Sequence, residues 1–347
     1  MTTIAQQRLH NQGIINTTFT KPSEVVAHLG AMQAQDYPMS KWAVGLRLPH
    51  ATDENIEQAI NEGSIVRTHI LRPTWHLVAA QDIRWMLALT APQVHQLVAY
   101  MYRQLELNEA LLSRTDAIIA KALEGNNHLT RAELMTELDK EGINTSDLRS
   151  AHLMFHAELN GIVCSGAMRG KQMTYALLDE RVSPTPTLTR EEALAELAKR
   201  YFVSHGPATL QDFVWWSGLK VSDARAGLEM IKSALISEKI DDQLYWFSSH
   251  APSFSHNTVH LLPAFDEFMV SYKDRTASLS ADNHTTAITG NGIFKPIVVV
   301  NGKVEGTWKR SVQKDKVKVE TEFFNSSFDK VLLGSAIEQY THFLGKK

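Results

Sequence analysis

The sequence predicts an α+β protein, predominantly helical, built as three tandem winged-helix units followed by a small C-terminal β-barrel-like domain. Three observations predict it. A helix, helix, helix, strand, basic turn, strand order recurs along the chain, a Pro-containing linker separates two of its copies, and beyond His260 β-branched runs replace the helical pattern. These observations place unit boundaries at 1–112, 113–184, 185–258 and 259–347.

The middle copy is the clearest. Asp116 to Glu124 reads as one helix, Thr130-Arg131-Ala132-Glu133 opens a second with capping-box spacing, and Ser150 to Asn160 continues as a third. After Asn160-Gly161 come the strand Ile162 to Ser165, the turn Met168-Arg169-Gly170-Lys171 and the strand Thr174 to Leu178. In the third copy, Thr189 and Thr209 cap helices, the second carrying Trp215-Trp216, and Ser222 to Leu235 precedes the strand Leu244 to Phe247. The paired tryptophans read as core rather than as a stacking platform.

The first copy is the least regular. Helices are expected from about Lys21 to Met32 and from Asp53 to Glu62, with strands near Ile65 to Leu71 and Thr74 to Ala79. Between them lies Met32-Gln33-Ala34-Gln35-Asp36-Tyr37-Pro38. On a continuing helix positions i and i+2 point roughly 200° apart, so Gln33 and Gln35 can share a target only where the backbone is extended or leaving the helix. Pro38 is expected to supply that exit by biasing Tyr37 away from helical φ/ψ. The plain alternative is that the glutamines cap a helix end.

In the last region, Val298 to Val304 reads as an Asn-Gly hairpin, and Ser327 to Leu344 as an amphipathic helix. From Lys295 to Lys318, seven Lys/Arg residues stand against Glu305 and Asp315, a run that reads either as a solvated strand face or as a phosphate-contacting edge.

Composition bounds the function classes. The chain has 347 residues, 44% hydrophobic and 21% charged, which is enough apolar material for about two to four modules. A net charge of −3 excludes general coating of nucleic acid, so any such contact is concentrated on one face. The first residues lack the apolar run of a signal peptide and no stretch is long enough to span a membrane, so the expected location is the cytoplasm. Cys164 is the one cysteine, which excludes an internal disulfide and a thiolate metal cage. His152 and His156 are spaced i, i+4 beside Glu158, but the His-Glu-x-x-His order and a third ligand are absent; neither a metal nor a cofactor is expected.

Several motifs then line up. Gln33 to Pro38 with Trp42-Ala43, Arg72-Pro73-Thr74-Trp75-His76-Leu77-Val78, Leu262-Pro263-Ala264-Phe265-Asp266 and Gly306-Thr307-Trp308 together resemble the AlkZ/YcaQ-like winged-helix DNA glycosylases, from near residue 5 to near residue 340. The resemblance implies three winged helices and a β-barrel, and a catalytic motif of glutamine, an apolar residue and a second polar residue at Gln33, Ala34 and Gln35. Glutamine at the third position is similar to the AlkZ-like branch; the YcaQ-like branch, associated with unhooking interstrand crosslinks, has aspartate there. Ala34 is smaller than the apolar residue of the family pattern.

A glutamine amide is no useful base near neutral pH, so this pair suits a reaction that needs little base. Release of an N7- or N3-alkylated purine, possessing an already cationic leaving group, is such a reaction. The expected activity is a monofunctional glycosylase acting on duplex DNA as a monomer, with water held by Gln33 and Gln35 and no Schiff-base strand cleavage. Arg67, Arg72, His76, Lys171, Lys309 and Arg310 are the candidate DNA contacts, with a hydrogen-bonded histidine under Trp75 as the other reading of His76. The alternative function is a non-catalytic winged-helix regulator, which would protect an operator and release no base.

Overall fold

The computed structural model describes residues 2–252, 257–314, 316–324 and 330–346. The chain forms two compact units, one of residues 1–57, 194–216 and 220–347 and the other of residues 58–193 and 217–219. Asp315 of the basic run and the expected start of the last helix at Ser327 lie outside the described residues.

In the second unit the hairpin Ile65–Ile70 and Thr74–Ala79 runs in a regular antiparallel register from Ile65 opposite Ala79 to Ile70 opposite Thr74. Leu71 takes a positive φ of 61° in the connecting turn. The helix Ile83–Gln104 follows, carrying Pro92 within it, and no sequence signal marked it out. Then come Glu109–Leu123, Arg131–Lys140 and Arg149–Leu159. The capping box at the second of these is formed: Glu133 N–H donates to Thr130 Oγ1 at 3.3 Å and Thr130 N–H to Glu133 Oε2 at 2.7 Å. Their apolar faces, with Leu134, Leu138 and Leu153 at the centre, form one core with Val163 of the strand Val163–Ser165 and Tyr175 of the strand Thr174–Leu177. With Leu129–Thr130 these strands make a three-stranded sheet in which Thr174–Leu177 is central.

The first unit begins with the helices Ile4–Asn11 and Pro22–Leu29. The second ends three residues before the expected Met32, because Gly30 adopts φ +78°. A short strand, Ala31–Gln33, takes over, and Asp36 caps the helix Tyr37–Gly45. Pro38 therefore opens a helix instead of closing one: it sits in the first turn, where its missing N–H costs nothing. Arg190–His205 and Leu210–Ser217 follow at the expected caps, whereas the third helix, expected over Ser222 to Leu235, runs Val221–Ile231 and ends in a 3-10 turn, Lys232–Ala234. They lead to a hairpin, Ile236–Ile240 and Gln243–Phe247, turned by Asp241 and Asp242, both at positive φ.

The expected barrel is not formed. Val259–Leu262, Ile297–Val300, Lys303–Val312 and Val317–Phe323 make an open, four-stranded antiparallel sheet in chain order. Four strands are too few to close around filled side chains. The helix Lys330–Phe343 instead packs on the Val259–Leu262 edge strand and covers it. The Asn301-Gly302 turn is as the sequence predicts, with φ of 51° and 87° and Val300 opposite Lys303. Among the described residues no helix is long and apolar enough to cross a membrane.

Candidate active site

Gly30 sets the geometry of the glutamine stretch. A Cβ there would lie 3.3 Å from the ring of Trp216 on top of an already strained φ, so the chain turns where only glycine fits. It then runs extended through Ala31–Gln33 and bends at Gln35 and Asp36 before the next helix. Neither glutamine lies on a helix. Gln33 is 8% exposed, Ala34 is fully buried, and Gln35 is exposed. The small Ala34 thus occupies a closed position between a nearly covered amide and an open one.

What holds Gln33 is a carboxylate distant in sequence. Its main-chain N–H donates to Glu267 Oε1 at 2.7 Å. Trp216 Nε1 donates to Glu267 Oε2 at 3.1 Å, the Ser271 hydroxyl donates to the same oxygen, and His205 Nε2 stands 3.6 Å from it. Glu267 is 1% exposed. Burial alone would raise its pKa, but the adjacent His205 and the hydrogen bonds from the Ser271 hydroxyl and the Gln33 main-chain N–H favour the charged form and hold it down at about 2. Burial pushes the His205 imidazole below its usual pKa. A charged carboxylate saturated with donors is a rigid anchor, and Gln33 is one of its attachments.

The same segment is pinned from its other side. Asp36 Oδ1 accepts from Met39 N–H at 3.1 Å as an N-cap. The ammonium of Lys41, 7% exposed, donates to Asp53 at 2.7 Å and Glu57 at 2.6 Å, and is thereby covered. Trp42 and Trp308 donate their indole N–H groups, each at 2.8 Å, to the successive carbonyls of Leu261 and Leu262, and both rings meet Tyr340. Arg47 and Asp266 form a fully buried two-pronged ion pair at 2.8 and 2.9 Å, completed by Gln12 and the Ala43 carbonyl. The motif residues Gln33, Trp42, Leu262, Asp266 and Trp308 are therefore parts of one packed framework. Glu267, Arg47 and His205 were missed by sequence reasoning. The signal for Glu267 was its place next to Asp266 in the Leu262-to-Asp266 motif.

The candidate DNA contacts divide by exposure. Lys171 and Lys309 are exposed, and Arg72 and Arg310 are half-buried. Lys309 pairs with Glu320 at 2.9 Å beside a surface groove of about 460 Å³ that Lys295 also lines. Arg310 donates to the Tyr340 hydroxyl. Arg67 and His76 are inside: Arg67 lies 3.9 Å over the Trp75 ring with Nη1 on Met173 Sδ, and His76, with no exposed surface, bonds through Nδ1 to the Thr74 carbonyl at 2.9 Å. Their position suits support of the hairpin better than contact with phosphate. Trp216 is core, as expected, whereas Trp215 is 41% exposed and donates to the Val270 carbonyl. His156 bonds to Asp116, and among the described residues no group of three or more His, Cys, Asp or Glu is arranged to hold a metal.

The chain is 25% identical over 322 residues to the interstrand DNA cross-link repair glycosylase of Streptomyces sahachiroi, covering 87% of this chain and 85% of that protein. Its fold matches the solved structure of the DNA glycosylase AlkZ from the same organism with a TM-score of 0.83, at 21% identity, over 99% of this chain and 96% of the other. The family model for AlkZ-like DNA glycosylases spans residues 26–343, and the chain belongs to that family.

Proposed function

We propose that this glycosylase hydrolyses the N-glycosidic bond of N7- or N3-alkylated purines in duplex DNA, with its attacking water held by Gln33 and Gln35. The observation that carries the proposal is the pair itself: two amides separated by one buried alanine where an extended segment bends, with the backbone of the first fixed by Glu267. Alkylation makes the base cationic, so its departure needs no strong base. The C1′–N bond breaks, the purine leaves with the bonding pair, and the sugar becomes oxocarbenium-like. Water adds at C1′ and loses its proton to solvent, while the two side-chain carbonyls orient the water and put negative dipole ends against the growing positive charge.

In this reading the product is an abasic site in an intact strand. The lysine of the neighbouring helix Tyr37–Gly45, Lys41, is enclosed by Asp53 and Glu57 and is not offered to the sugar. Duplex contacts fall to Arg72, Lys171, Lys309 and Arg310, with Arg67 and His76 supporting the hairpin from within, and the enzyme acts as a monomer through three winged-helix units. The name of the Streptomyces relative extends the proposed substrate range to interstrand crosslinks. The third-position glutamine does not stand against that.

The test is incubation of the full chain with duplexes carrying 7-methylguanine, a bulkier N7 adduct, or an N7 crosslink. Chromatography reads the freed base, and gels with and without hot alkali read strand scission. The expected result is base release with breakage only after alkali. Absence of release from all three duplexes overturns the proposal, and breakage without alkali overturns its monofunctional part.

A further inference from the structure

The helix Arg190–His205 ends on two side chains that touch, those of Ser204 and His205, and neither has any exposed surface. Ser204 Oγ lies 2.6 Å from the Arg200 carbonyl and 2.7 Å from His205 Nδ1. A carbonyl only accepts, and the hydroxyl has one hydrogen to give, so that hydrogen goes to Arg200 and the Ser204 oxygen accepts from Nδ1. The opposite assignment would set two oxygen lone pairs against each other at 2.6 Å. His205 therefore carries a proton on Nδ1 whether the ring is neutral or charged. Nε2 is the nitrogen that titrates.

That nitrogen faces the anchor of the glutamine segment. Nε2 stands 3.6 Å from Glu267 Oε2, outside hydrogen-bond range, and is buried without a hydrogen bond to any described residue. In the neutral ring it presents a lone pair to the carboxylate, and the two repel. Oε2 takes its hydrogen bonds from Trp216 and Ser271 instead, and Oε1 takes the Gln33 N–H. A proton on Nε2 reverses the sign of the contact: charge-assisted N–H···O bonds close to about 2.7–2.9 Å, a movement of roughly 0.7–0.9 Å from the distance found. The ring is clamped, with Tyr201 stacked on it at 4.9 Å, Trp216 at 5.4 Å, and the Tyr272 hydroxyl donating to the His205 carbonyl at 2.7 Å. The movement therefore falls on the carboxylate, and with it on Gln33.

We propose that His205 is a positioning residue for the glutamine segment: with its proton on Nδ1 alone it leaves Glu267 to Gln33, and protonation of Nε2 draws the carboxylate off that place and slows base release. The effect on base release rests on the glycosylase reading; the tautomer and its contact with Glu267 do not. Misplacement of a reacting group by about 1 Å costs on the order of 100-fold in rate, so a smaller shift of one water-holding amide is expected to cost at least about fivefold. Burial opposes a second proton on the ring, as do the charge of Arg47, already paired with Asp266, and the nearby His28; Glu267 favours it. Tyr201 and Tyr272 add no charge, because burial pushes both phenols up. The change accordingly lies below pH 6.5.

Two measurements on the full chain test this. Long-range 1H–15N spectra of histidine-labelled protein, assigned through bonds to the backbone, read the tautomer of His205 without reference to activity. The expected signature at pH 8 is a protonated Nδ1 beside an unprotonated Nε2, with Nε2 gaining its proton below pH 6.5. A proton on Nε2 at pH 8 overturns the proposal. Single-turnover release of 7-methylguanine from methylated duplex is then followed at pH 8, 6.5 and 5, with spontaneous release subtracted, for wild type, His205→Phe and His205→Gln. Phenylalanine has no nitrogen to titrate, and a glutamine amide donates to Glu267 at every pH. The wild-type rate is expected to fall at least about fivefold from pH 8 to pH 5, the rate of each variant to stay within about twofold over that range, and His205→Gln to be the slower variant at pH 8. A wild-type rate flat to pH 5, or one pH profile shared by wild type and His205→Phe, overturns the proposal. Circular dichroism and duplex affinity at each pH separate unfolding or lost binding from a lost rate, and if neither variant folds, the spectra and the wild-type profile decide. The expected tautomer without any base release removes the catalytic reading alone, and base release with Nε2 protonated at pH 8 removes this inference alone.

Discussion

The main-chain N–H of Gln33 and the carboxylate of Glu267 meet at 2.7 Å across 234 positions of sequence. In the proposed mechanism Glu267 is thereby a positioning residue for the glutamine segment. Glu267→Gln keeps the shape but presents an NH₂ group where either Gln33 or the Trp216 and Ser271 pair already donates, so one donor is left facing another. The expected loss is about 1–3 kcal/mol of stability. A fall in kcat on the order of 10- to 100-fold with KM little changed is also expected, because displacement of a water-holding amide acts on the transition state. A merely structural role would reduce the folded fraction while leaving kcat per folded molecule intact. Combining Glu267→Gln with Gln33→Ala should add little to the kinetic loss of Gln33→Ala alone, and full additivity would count against the link.

Gln33→Ala and Gln35→Ala should each lower release of 7-methylguanine by roughly 10²- to 10³-fold, the usual effect of removing one preorganised dipole from a transition state. Affinity for undamaged duplex should stay within about twofold, since contacts to phosphate lie elsewhere in this reading. Binding measured at fixed salt beside single-turnover release separates the two effects. Equal losses in affinity and rate would place the glutamines among the DNA contacts instead.

The extent to which the sequence disclosed this arrangement depends on how local each determinant is. Thr130 with Glu133, Thr189 with Glu192 and Thr209 with Asp212 all form the caps their spacing announces, because a cap is decided within four residues. The Asn301-Gly302 turn is equally local. In sequence the segment up to Met32 reads as helix although it is a strand, because a three-residue buried strand has the same apolar pattern as a helix end. Only the φ of Gly30 separates the two. Pro38 signals a helix boundary but not which side of it. Whether a sheet closes is decided by its edges, which is why the barrel was expected and an open sheet covered by a helix is found. Glu267 beneath Gln33 and Asp266 against Arg47 are pairings over more than two hundred positions, and no local pattern carries them.

The Arg47–Asp266 pair has no exposed surface on either side chain. Arg47→Met should cost about 3–5 kcal/mol, because Asp266 then stays buried with its charge uncompensated. Arg47→Met with Asp266→Leu should recover much of that loss, since two apolar groups of similar bulk leave no unpaired charge. Urea unfolding midpoints for wild type, the single variant and the double variant measure this. A single variant within about 1 kcal/mol of wild type would show that the pair does not hold the framework under Gln33.

Lys171→Ala and Lys309→Ala should weaken binding to damaged and undamaged duplexes alike, and each should reduce the slope of log affinity against log salt by about one if it contacts a phosphate. Arg67→Ala should behave differently. Its guanidinium lies 3.9 Å over Trp75 inside the second unit, so its loss should lower stability and leave the salt slope nearly unchanged. Anisotropy titrations between low and moderate salt distinguish these outcomes. A slope change with Arg67→Ala as large as with Lys309→Ala would return Arg67 to the DNA surface.

His260 gives the protein a defined acid sensitivity. It sits on the strand Val259–Leu262 opposite Val299, and its Nε2 is buried without a hydrogen bond. Burial, reinforced by the positive charge of Arg47, pushes the imidazole from its usual 6.5 down to about 4. The native state therefore binds the neutral ring, while the unfolded chain takes up a proton as soon as the pH falls below about 6.5. The stabilisation of the native state by the neutral ring is fully present above that pH and is lost progressively as the pH falls towards about 4. The largest loss is about 3 kcal/mol, at roughly 1.4 kcal/mol per unit. His260→Leu removes the titration, so the stability difference between pH 7 and pH 4.5 should shrink by about 2–3 kcal/mol relative to wild type. Urea unfolding of both proteins at pH 7, 5.5 and 4.5 gives that difference directly, and parallel pH profiles would show that the ring is already protonated or solvated in the native state.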